Sequence, residues 1–405
     1  MPLELTARTE PGERLVGLAE RLAGEIGASA AAHDRDGSFP FDSFSAVKRS
    51  GYFAAPIPVE LGGLGVASVH DVVVASSRLA RGDAALTLGV NMHFAFLLNV
   101  VRRWQIALAS GHERRTKAFA GTLERIACEG TVFGAAGSEL GQDLTRPATT
   151  ATGTDSGWIV SGRKVFCTMS VAADVLYTAV TYTDGDDLER YGYAMIPRET
   201  PGVVVHHDWD ALGMRASASH SVSFEDVRLP RSALRGGFLV GDAAAYMDRN
   251  LIAGLFHAAA ALGVAEAADV VAGSRLGGRL DVDPHTLMRA AENVVDLAAS
   301  RAVLSRAATL IDDEHTRNPA SPTSVQMLTD LFGEVQSAKT FVSEAAVRIV
   351  DRALALSGGS GYLNGSPLAR AYRDARAAGF MHPLGANRAY AFLGELAAGR
   401  QPSLH

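Results

Sequence analysis

Two histidines of this chain are suited to proton transfer near neutral pH, because an unperturbed imidazole titrates at about pH 6.5. His382 directly precedes a proline, and His93 lies among Met92, Phe94 and Phe96. Apolar neighbours of this kind can keep water away from a reactive site. At both positions the alternative is a histidine packed into the core for structural reasons, so the surrounding motifs have to decide between the two.

The segment before His382 carries two motifs. One is the glycine turn Gly358–Gly361, and the other is Tyr372–Arg376, with the order Tyr-Arg-Asp-Ala-Arg. Together they resemble the C-terminal signature of the acyl-CoA dehydrogenase family, in which a catalytic glutamate follows nine residues after the arginine of Arg-Asp-Ala. Counting nine residues from Arg373 reaches His382. The resemblance implies that an imidazole replaces the base that takes a proton from an acyl thioester.

Three further segments resemble motifs of the same family and follow the family's order. Pro58–Gly65 resembles its Pro-x-Glu-x-Gly-Gly-x-Gly loop, Asp210–Ser217 its Leu-Gly-x-Arg-(Ala/Ser)-Ser segment, and Phe224–Pro230 its Phe-x-Asp-Val-x-Val-Pro segment. The resemblance covers nearly the whole chain. It implies an α+β, acyl-CoA dehydrogenase-like fold with an N-terminal α-helical domain, a middle β-barrel domain and a C-terminal bundle of four long helices.

The distribution of apolar residues predicts the same three domains. Apolar residues recur at helical spacing through residues 1–130, and short β-branched and aromatic runs separated by turns follow in residues 131–235. Within this second region, Trp158–Phe166 is expected to form two strands around a turn at Ser161-Gly162. Residues 236–405 are helical again, with long helices predicted over 243–275, 284–316, 323–356 and 385–398.

Members of the family bind a flavin between the middle domain and the bundle, so the resemblance also implies a flavin site. Thr168 ends a segment similar to the family's Gly-x-Lys-x-(Trp/Phe)-Ile-Thr strand, and its hydroxyl is expected to hydrogen-bond flavin N5. Ser138 lies in the loop Gly134–Asp143, which is shorter than the family's corresponding loop and lacks its proline. Its expected role is to contact the flavin pyrimidine or the phosphates.

Other residues are expected to contact the flavin of a neighbouring subunit. Arg275 matches an arginine that reaches a flavin phosphate there. Gly358, Gly359 and Gly361 match a turn whose lack of side chains lets the backbone approach the dinucleotide. Ala355 stands where the family has a glutamine that touches the adenosine half, which leaves FMN as an alternative to the favoured FAD.

A histidine in place of the glutamate resembles a particular branch of the superfamily, the two-component flavin-dependent monooxygenases. This implies a separate reductase that supplies reduced flavin, which forms a C4a-hydroperoxide with O₂ and hydroxylates an electron-rich aromatic substrate such as a phenol or an indole. His382, His93 and Thr168 are the expected catalytic residues. Three alternatives stay open: an N- or S-oxygenase of the same branch, a flavin acyl-CoA dehydrogenase or nitroalkane-type oxidase, and a non-catalytic scaffold.

The composition narrows the choice of partners. A net charge of −6 without clustered Lys and Arg gives no reason to expect nucleic acid or an anionic membrane. The N-terminus lacks the pattern of a secretory signal, no apolar run is long enough to span a membrane, and Cys128 and Cys167 show no metal-ligand spacing. We therefore expect a cytoplasmic enzyme without a metal.

No Gly-x-Gly-x-x-Gly fingerprint of nicotinamide binding occurs, so electrons would arrive with the flavin. A homotetramer is expected from the resemblance alone.

Overall fold

The computed structural model of the protein describes residues 4–141, 143–183, 185, 187–277 and 281–404. Gln142, part of the loop compared above with the family's flavin loop, lies outside them. The described chain begins with helices, continues with a β-sheet and ends with helices. This order confirms the predicted fold class.

Five helices form the N-terminal part: α1 (Glu10–Asp36), α2 (Phe41–Arg49), α3 (Val69–Ala80), α4 (Ala84–Ala109) and α5 (Glu113–Glu129). Thr9 caps α1 by accepting the N–H of Gly12, and Asp83 caps the first turn of α4. Helix α4 is buried on nearly all sides. One of its faces, at helical spacing, borders the cavity described below and carries Leu88, Met92, Ala95, Phe96 and Asn99.

Eight strands follow: β1 (Phe133–Ala136), β2 (Thr150–Thr154), β3 (Gly157–Cys167), β4 (Val175–Thr183), β5 (Glu189–Pro197), β6 (Val203–Val205), β7 (His220–Pro230) and β8 (Leu234–Leu239). They form one sheet in the order β6-β7-β3-β2-β4-β5-β8, and β1 pairs in parallel with β4. The sheet places the end of β3 beside the helices, and β8 crosses the expected domain boundary at residue 235.

The expected pair of strands within Trp158–Phe166 is wrong. The structure has one continuous strand, β3, that pairs with β7 over its length. A register shift between Val160 and Gly162 absorbs the Ser-Gly pair as a bulge. Gly162 has a φ of 155°, and a Cβ there would lie 2.5 Å from the Thr149 hydroxyl. Glycine at this position therefore permits a close approach of two strands, not a chain reversal.

Seven helices form the C-terminal part: α6 (Ala243–Asn250), α7 (Ala253–Leu276), α8 (Pro284–Arg317), α9 (Val325–Ser357), α10 (Gly359–Tyr362), α11 (Pro367–Ala377) and α12 (Ala386–Ala397). The long helices agree with the predicted spans, except that the first is broken. The chain turns at Leu251 and Ile252, whose side chains are both buried. This break separates α6 from α7 and lets both face the cavity.

Helix α4 and the segment Ala243–Leu276 are long and apolar enough to cross a membrane, judged by length and composition alone. In the folded protein, 89% and 94% of their most apolar windows are buried. They also contact each other, because Asn91 of α4 donates a hydrogen bond to the carbonyl of Phe256 in α7 at 3.0 Å. Helices that are apolar all round are typical of a protein core, and that is where these two lie.

Candidate active site

A cavity of about 490 Å³ lies between α4, the sheet, helices α6 and α7, and the segment after α11. Its wall is mainly apolar. The polar part of the lining brings together hydroxyl, imidazole and guanidinium groups, among them Thr168, Ser219, Tyr246, His257, Arg376 and His382. None of the described lining residues is Asp or Glu, so this part of the wall offers no carboxylate base.

His382 lies in the cavity wall after α11. Its Nδ1 is 3.4 Å from the hydroxyl of Tyr246, which donates its own proton to the carbonyl of Pro383 at 2.9 Å. Because the phenol proton is committed, Nδ1 carries the hydrogen of this long contact, and Nε2 is left as the unprotonated acceptor. Burial lowers the pKa of His382 to about 4, helped by the positive charge of Lys339. The imidazole is therefore neutral at pH 7.

The loop that carries His382 is fixed by Lys339 of α9. The buried ammonium group donates hydrogen bonds to the carbonyl of Met381 and, at 2.7 Å, to the carbonyl of Leu384. Burial lowers the pKa of Lys339 to about 7, while the two carbonyl acceptors favour its charged form. Lys339 thus positions the segment on both sides of His382. No sequence motif pointed to it, because it lies in the middle of the long helix α9, outside every motif quoted above.

Thr168 follows β3, and its buried side chain lines the cavity. Its hydroxyl is 2.9 Å from that of Ser219, which is 2.7 Å from that of Ser217. Three linked hydroxyls can reorient their protons, so the cavity end can donate or accept a hydrogen bond as a ligand requires. Phe166, two residues earlier, has a positive φ of 57°, and its ring is 60% exposed beside the same wall.

Ser138 also lines the cavity, and its carbonyl accepts the N–H of Val165 in β3 at 2.9 Å. The next residue, Glu139, has a buried carboxylate that accepts hydrogen bonds from Lys164 Nζ at 2.6 Å and from the Thr149 hydroxyl at 2.7 Å. This ion pair joins the Ser138 loop to β3. Neither Glu139 nor Lys164 was expected to have a role, although both lie inside the motifs quoted above.

His93 does not lie where a catalytic role would require it. Its ring is fully buried, Nδ1 accepts the N–H of Phe133 at 3.0 Å, and Nε2 donates to the carbonyl of Phe53 at 3.1 Å. Met92 and Phe96 line the cavity, but His93 does not. The reason is helical periodicity, since the residue after Met92 points about 100° away around α4. Both ring nitrogens of His93 are held by backbone groups, so it connects elements of the fold.

Three models of the acyl-CoA dehydrogenase family match the chain in order: the N-terminal domain at residues 16–104, the middle domain at 133–227 and the C-terminal domain at 235–386. The chain belongs to the acyl-CoA dehydrogenase family. An amino sugar nitrososynthase from Streptomyces rubradiris is 33% identical to it over 386 residues, which cover 93% of this chain and 88% of the relative.

Solved structures with the acyl-CoA dehydrogenase fold extend this likeness. KijD3 in complex with FMN and dTDP-3-amino-2,3,6-trideoxy-4-keto-3-methyl-D-glucose has a TM-score of 0.89 and 30% identity, over 99% of this chain and 97% of that chain. TdsC from Paenibacillus sp. A11-2 in complex with FMN and indole has a TM-score of 0.83 and 25% identity, over 97% and 99% of the two chains.

The cavity fits the flavin that this family uses. The exposed Phe166 ring and the apolar face of α4 suit the flat isoalloxazine ring, and the Thr168 hydroxyl suits a ring nitrogen that changes between acceptor and donor with its redox state. Thr168 and Ser138 would hold the ring edge. The protein is a flavin-dependent oxidoreductase, and its relatives include flavin-dependent oxygenases.

The other expected flavin contacts of this acyl-CoA dehydrogenase homologue lie together away from the cavity. Arg275 donates hydrogen bonds to the Ser360 hydroxyl at 2.6 Å and to the Ser357 carbonyl at 3.1 Å. It therefore lies beside the turn that contains Gly358, Gly359 and Gly361, and none of these four residues lines the cavity. Arg275 is five turns beyond His257 on α7, about 27 Å along the helix axis. A role in the flavin site of a neighbouring subunit stays a prediction.

The environment of His382 predicts an unusual titration. We expect the ¹³Cε1 resonance of His382 to show no titration from about pH 8 to about pH 5, because burial and Lys339 lower its pKa from about 6.5 to about 4. The measurement is NMR of histidine-labelled protein, with His382→Gln to assign the resonance. Lys339→Met should raise the midpoint, since it removes the neighbouring positive charge. A midpoint near 6.5 in the wild-type protein would contradict this description of the site.

Proposed function

We propose that this protein is a reduced-flavin-dependent N-oxygenase that oxidises the amine of a nucleotide-linked amino sugar. The observation that carries the proposal is the neutral imidazole of His382 in a cavity whose described wall holds no carboxylate. The similarity to an amino sugar nitrososynthase and to KijD3 with its bound amino sugar nucleotide supports the choice of substrate.

Amine oxygenation requires a group that accepts a proton from nitrogen. It does not require a base that removes a proton from carbon. An amine arrives at neutral pH largely as an ammonium ion, which has no lone pair with which to attack oxygen. Nε2 of His382 is unprotonated at pH 7 and can take up the ammonium proton as a general base. Acyl-CoA dehydrogenation would instead use a carboxylate over the α-carbon, and the described wall offers none.

A bound reduced flavin supplies the two electrons with which one atom of O₂ is transferred to the substrate and the other becomes water. The residues of this chain do the rest. The Thr168 hydroxyl and the Ser138 loop orient the ring, and the apolar face of α4 excludes water. We further propose that a separate reductase delivers the flavin, either FMN or FAD, and that Arg275 completes the site of a neighbouring subunit in a homotetramer.

The rim of the cavity suits a substrate that carries phosphate. Arg376 lines the cavity, and its guanidinium carbon is 5.1 Å from the centroid of the Phe380 ring, which is 70% exposed. A guanidinium group binds phosphate oxygens in a bidentate manner, and an exposed ring can stack on a base. Arg373, another lining arginine, is held by Asp34 at 2.8 Å, so Arg376 is the better candidate for the diphosphate.

An aromatic substrate of the phenol or indole type, the first expectation from the sequence, is the second candidate. The observation that favours it is the apolar wall formed by Met92 and Phe96 on α4, together with the similarity to indole-bound TdsC. The amino sugar is preferred because the relative that acts on amino sugars has the higher sequence identity, 33% against 25%.

A parallel turnover experiment separates the two candidates. The purified protein is mixed with chemically reduced FMN, which removes the need for a reductase, and with ¹⁸O₂. One reaction contains dTDP-3-amino-2,3,6-trideoxy-4-keto-3-methyl-D-glucose, and a second contains indole. We expect mass spectrometry to find ¹⁸O on the sugar nitrogen, as a hydroxylamine or nitroso product, and little labelled indole.

Other outcomes would decide against the proposal. Labelled indole with an unchanged amino sugar would favour the aromatic substrate. Reduction of bound oxidised FMN or FAD by butyryl-CoA in the absence of O₂ would favour an acyl-CoA dehydrogenase. A reaction without protein controls for direct oxidation of the amine by hydrogen peroxide from free flavin.

A further inference from the structure

His257, on α7, lines the same cavity and has no role in the reaction described above. Its side chain is 4% exposed, and its ring lines the cavity. Within the part of the chain that the structure describes, its buried Nδ1 has no hydrogen-bond partner. Leaving a buried polar atom unpaired is unfavourable, so the unpaired Nδ1 points to a ligand or a water. Nε2 is not among the buried unpaired atoms, and we assign to it the side of the ring that faces the cavity.

A second unpaired polar side chain lies on α9, beside the turn of α7 that precedes His257. Gly254, one turn earlier on α7, lies so close to α9 that a Cβ there would be 2.8 Å from Val335 and 3.4 Å from Nε2 of Gln336. Gln336 is fully buried, and among the described residues neither its Nε2 nor its Oε1 has a partner. Three unpaired polar atoms at one helix crossing are typical of a site for ordered water, through which a proton can move.

The charges around His257 are all of one sign. Burial, followed by the positive charge of Lys339 and by that of His382 whenever its ring is protonated, holds the pKa of His257 well below its ordinary value. The described cavity wall contains no carboxylate to offset them. His257 is therefore a weak base that releases a proton readily. A base with a low pKa can accept a proton efficiently only from a donor whose own pKa is also low.

N-oxygenation produces such a donor. The overall change is R–NH₃⁺ + O₂ + reduced flavin → R–NHOH + H₂O + oxidised flavin + H⁺. Three hydrogens on nitrogen become one, so two protons leave the nitrogen in each round. The first comes from the ammonium ion. The second is lost after oxygen has been attached, and the electron-withdrawing oxygen makes it far more acidic than the first.

Building on the proposed N-oxygenation, we propose that His257 is the second proton acceptor of the active site. His382 accepts the proton of the substrate ammonium ion, and His257 accepts the proton that the nitrogen loses once it carries oxygen. One imidazole holds one proton at a time, so two acceptors let both protons leave without an intervening exchange with solvent. Of the two protons, one is released to solvent and the other is used in forming water, as the overall change requires.

Chemical rescue tests this role. His257→Ala should lower amine oxygenation by about 10²-fold, a typical effect of losing an acid–base group. Imidazole added at millimolar concentration should then raise the rate of the variant by at least about tenfold, because it fits the vacated space and is a base. Pyrazole has the same size and is almost non-basic, so it should restore little. The substrate is dTDP-3-amino-2,3,6-trideoxy-4-keto-3-methyl-D-glucose with reduced FMN and O₂.

Two further variants separate chemistry from structure. His257→Gln keeps a hydrogen-bonding side chain without a base and should be equally slow, even if His257→Ala folds poorly. His315→Ala removes another histidine whose burial lowers its pKa, to about 3, but which does not line the cavity. It should retain wild-type turnover. Thermal melting and FMN binding of all variants report whether folding has changed.

A measurement without flavin gives an independent readout. In the flavin-free wild-type protein, addition of the amino sugar nucleotide should shift the ¹⁵N resonance of His257 Nε2, because this nitrogen meets the substrate amine. The inference is overturned if the resonance stays fixed while the sugar binds, if His257→Gln turns over at the wild-type rate, or if pyrazole rescues as well as imidazole. A wild-type protein that leaves the amine unreacted refutes the proposed function, and this inference with it.

Discussion

Replacing His382 with alanine is expected to lower the rate of amine oxygenation at pH 7 by about 10²- to 10⁴-fold, the usual contribution of a general base. The unprotonated Nε2 of His382 is lost, and the described cavity wall holds no carboxylate that could substitute for it. FMN should still bind, because Thr168 and Ser138 are untouched. The measurement compares initial rates at saturating reduced FMN with the FMN dissociation constant from fluorescence.

The pH dependence distinguishes a lost base from a distorted site. Without His382, only substrate that is already a free amine in solution can react, so the rate of His382→Ala should rise about tenfold per pH unit below the substrate pKa. The wild-type rate should stay nearly flat over the same range, since the pKa of His382 lies at about 4. His382→Gln serves as the matched control for the lost base. Equal rates for the variant and the wild type at pH 7 would remove His382 from the mechanism.

Much of the fold and part of the site could be predicted from the sequence, because motifs preserve spacing. The nine-residue distance from Arg373 pointed to His382, and the strand motif pointed to Thr168. Both residues line one cavity, although 214 positions separate them in the chain. Long helices were also predictable, since α8 begins at Pro284 with Asp283 as its cap. Caps and periodicity are local properties that the sequence displays directly.

The remaining features depend on contacts that no local pattern displays. His93 and Met92 are neighbours in the sequence, but only Met92 faces the cavity, because the rotation of α4 is set by its packing. His257 and Lys339 sit in helices that are apolar for most of their length, and neither belongs to a motif. Their importance emerges only when α7 and α9 cross beside the loop of His382.

The exchange of glutamate for histidine at the motif position changes the charge of the whole cavity. A carboxylate there would balance Lys339, whose pKa burial has already lowered to about 7. With His382 and His257 instead, the wall gathers groups that are neutral or positive. Such a wall destabilises a bound ammonium ion and so favours the transfer of its proton to His382. The same fold can thereby serve a different reaction, because function resides in the site and not in the fold.

The largest expected effect on stability is that of Lys164→Met. Lys164 is fully buried, and its ammonium group contacts Glu139 at 2.6 Å and the carbonyl of Ala179 at 2.8 Å. Removing one partner of a buried ion pair leaves an uncompensated charge, so the free energy of unfolding should fall by about 3–5 kcal/mol. Urea unfolding followed by circular dichroism measures the change. The exposed pair Arg306–Glu334 provides the matched control, and Arg306→Met should cost less than about 1 kcal/mol.

The double variant Lys164→Met/Glu139→Gln tests the cause of this loss. The two carboxylate oxygens of Glu139 accept the N–H groups of Ala148 and Thr149, one each. The single side-chain oxygen of glutamine can replace one of these acceptors, and glutamine brings no buried charge. It should therefore recover part of the stability.

The contribution of the Lys164–Glu139 pair to stability depends on pH, and its sign can be worked out. Burial raises the pKa of Glu139, but Lys164 and the hydrogen-bond donors outweigh this and hold that pKa below its ordinary value. The contribution of the pair is therefore present above about pH 4.3 and is lost as the pH falls through the depressed value. A Lys164→Met variant with unchanged stability at pH 7 would show that the Ser138 loop is held to β3 by its backbone hydrogen bond alone.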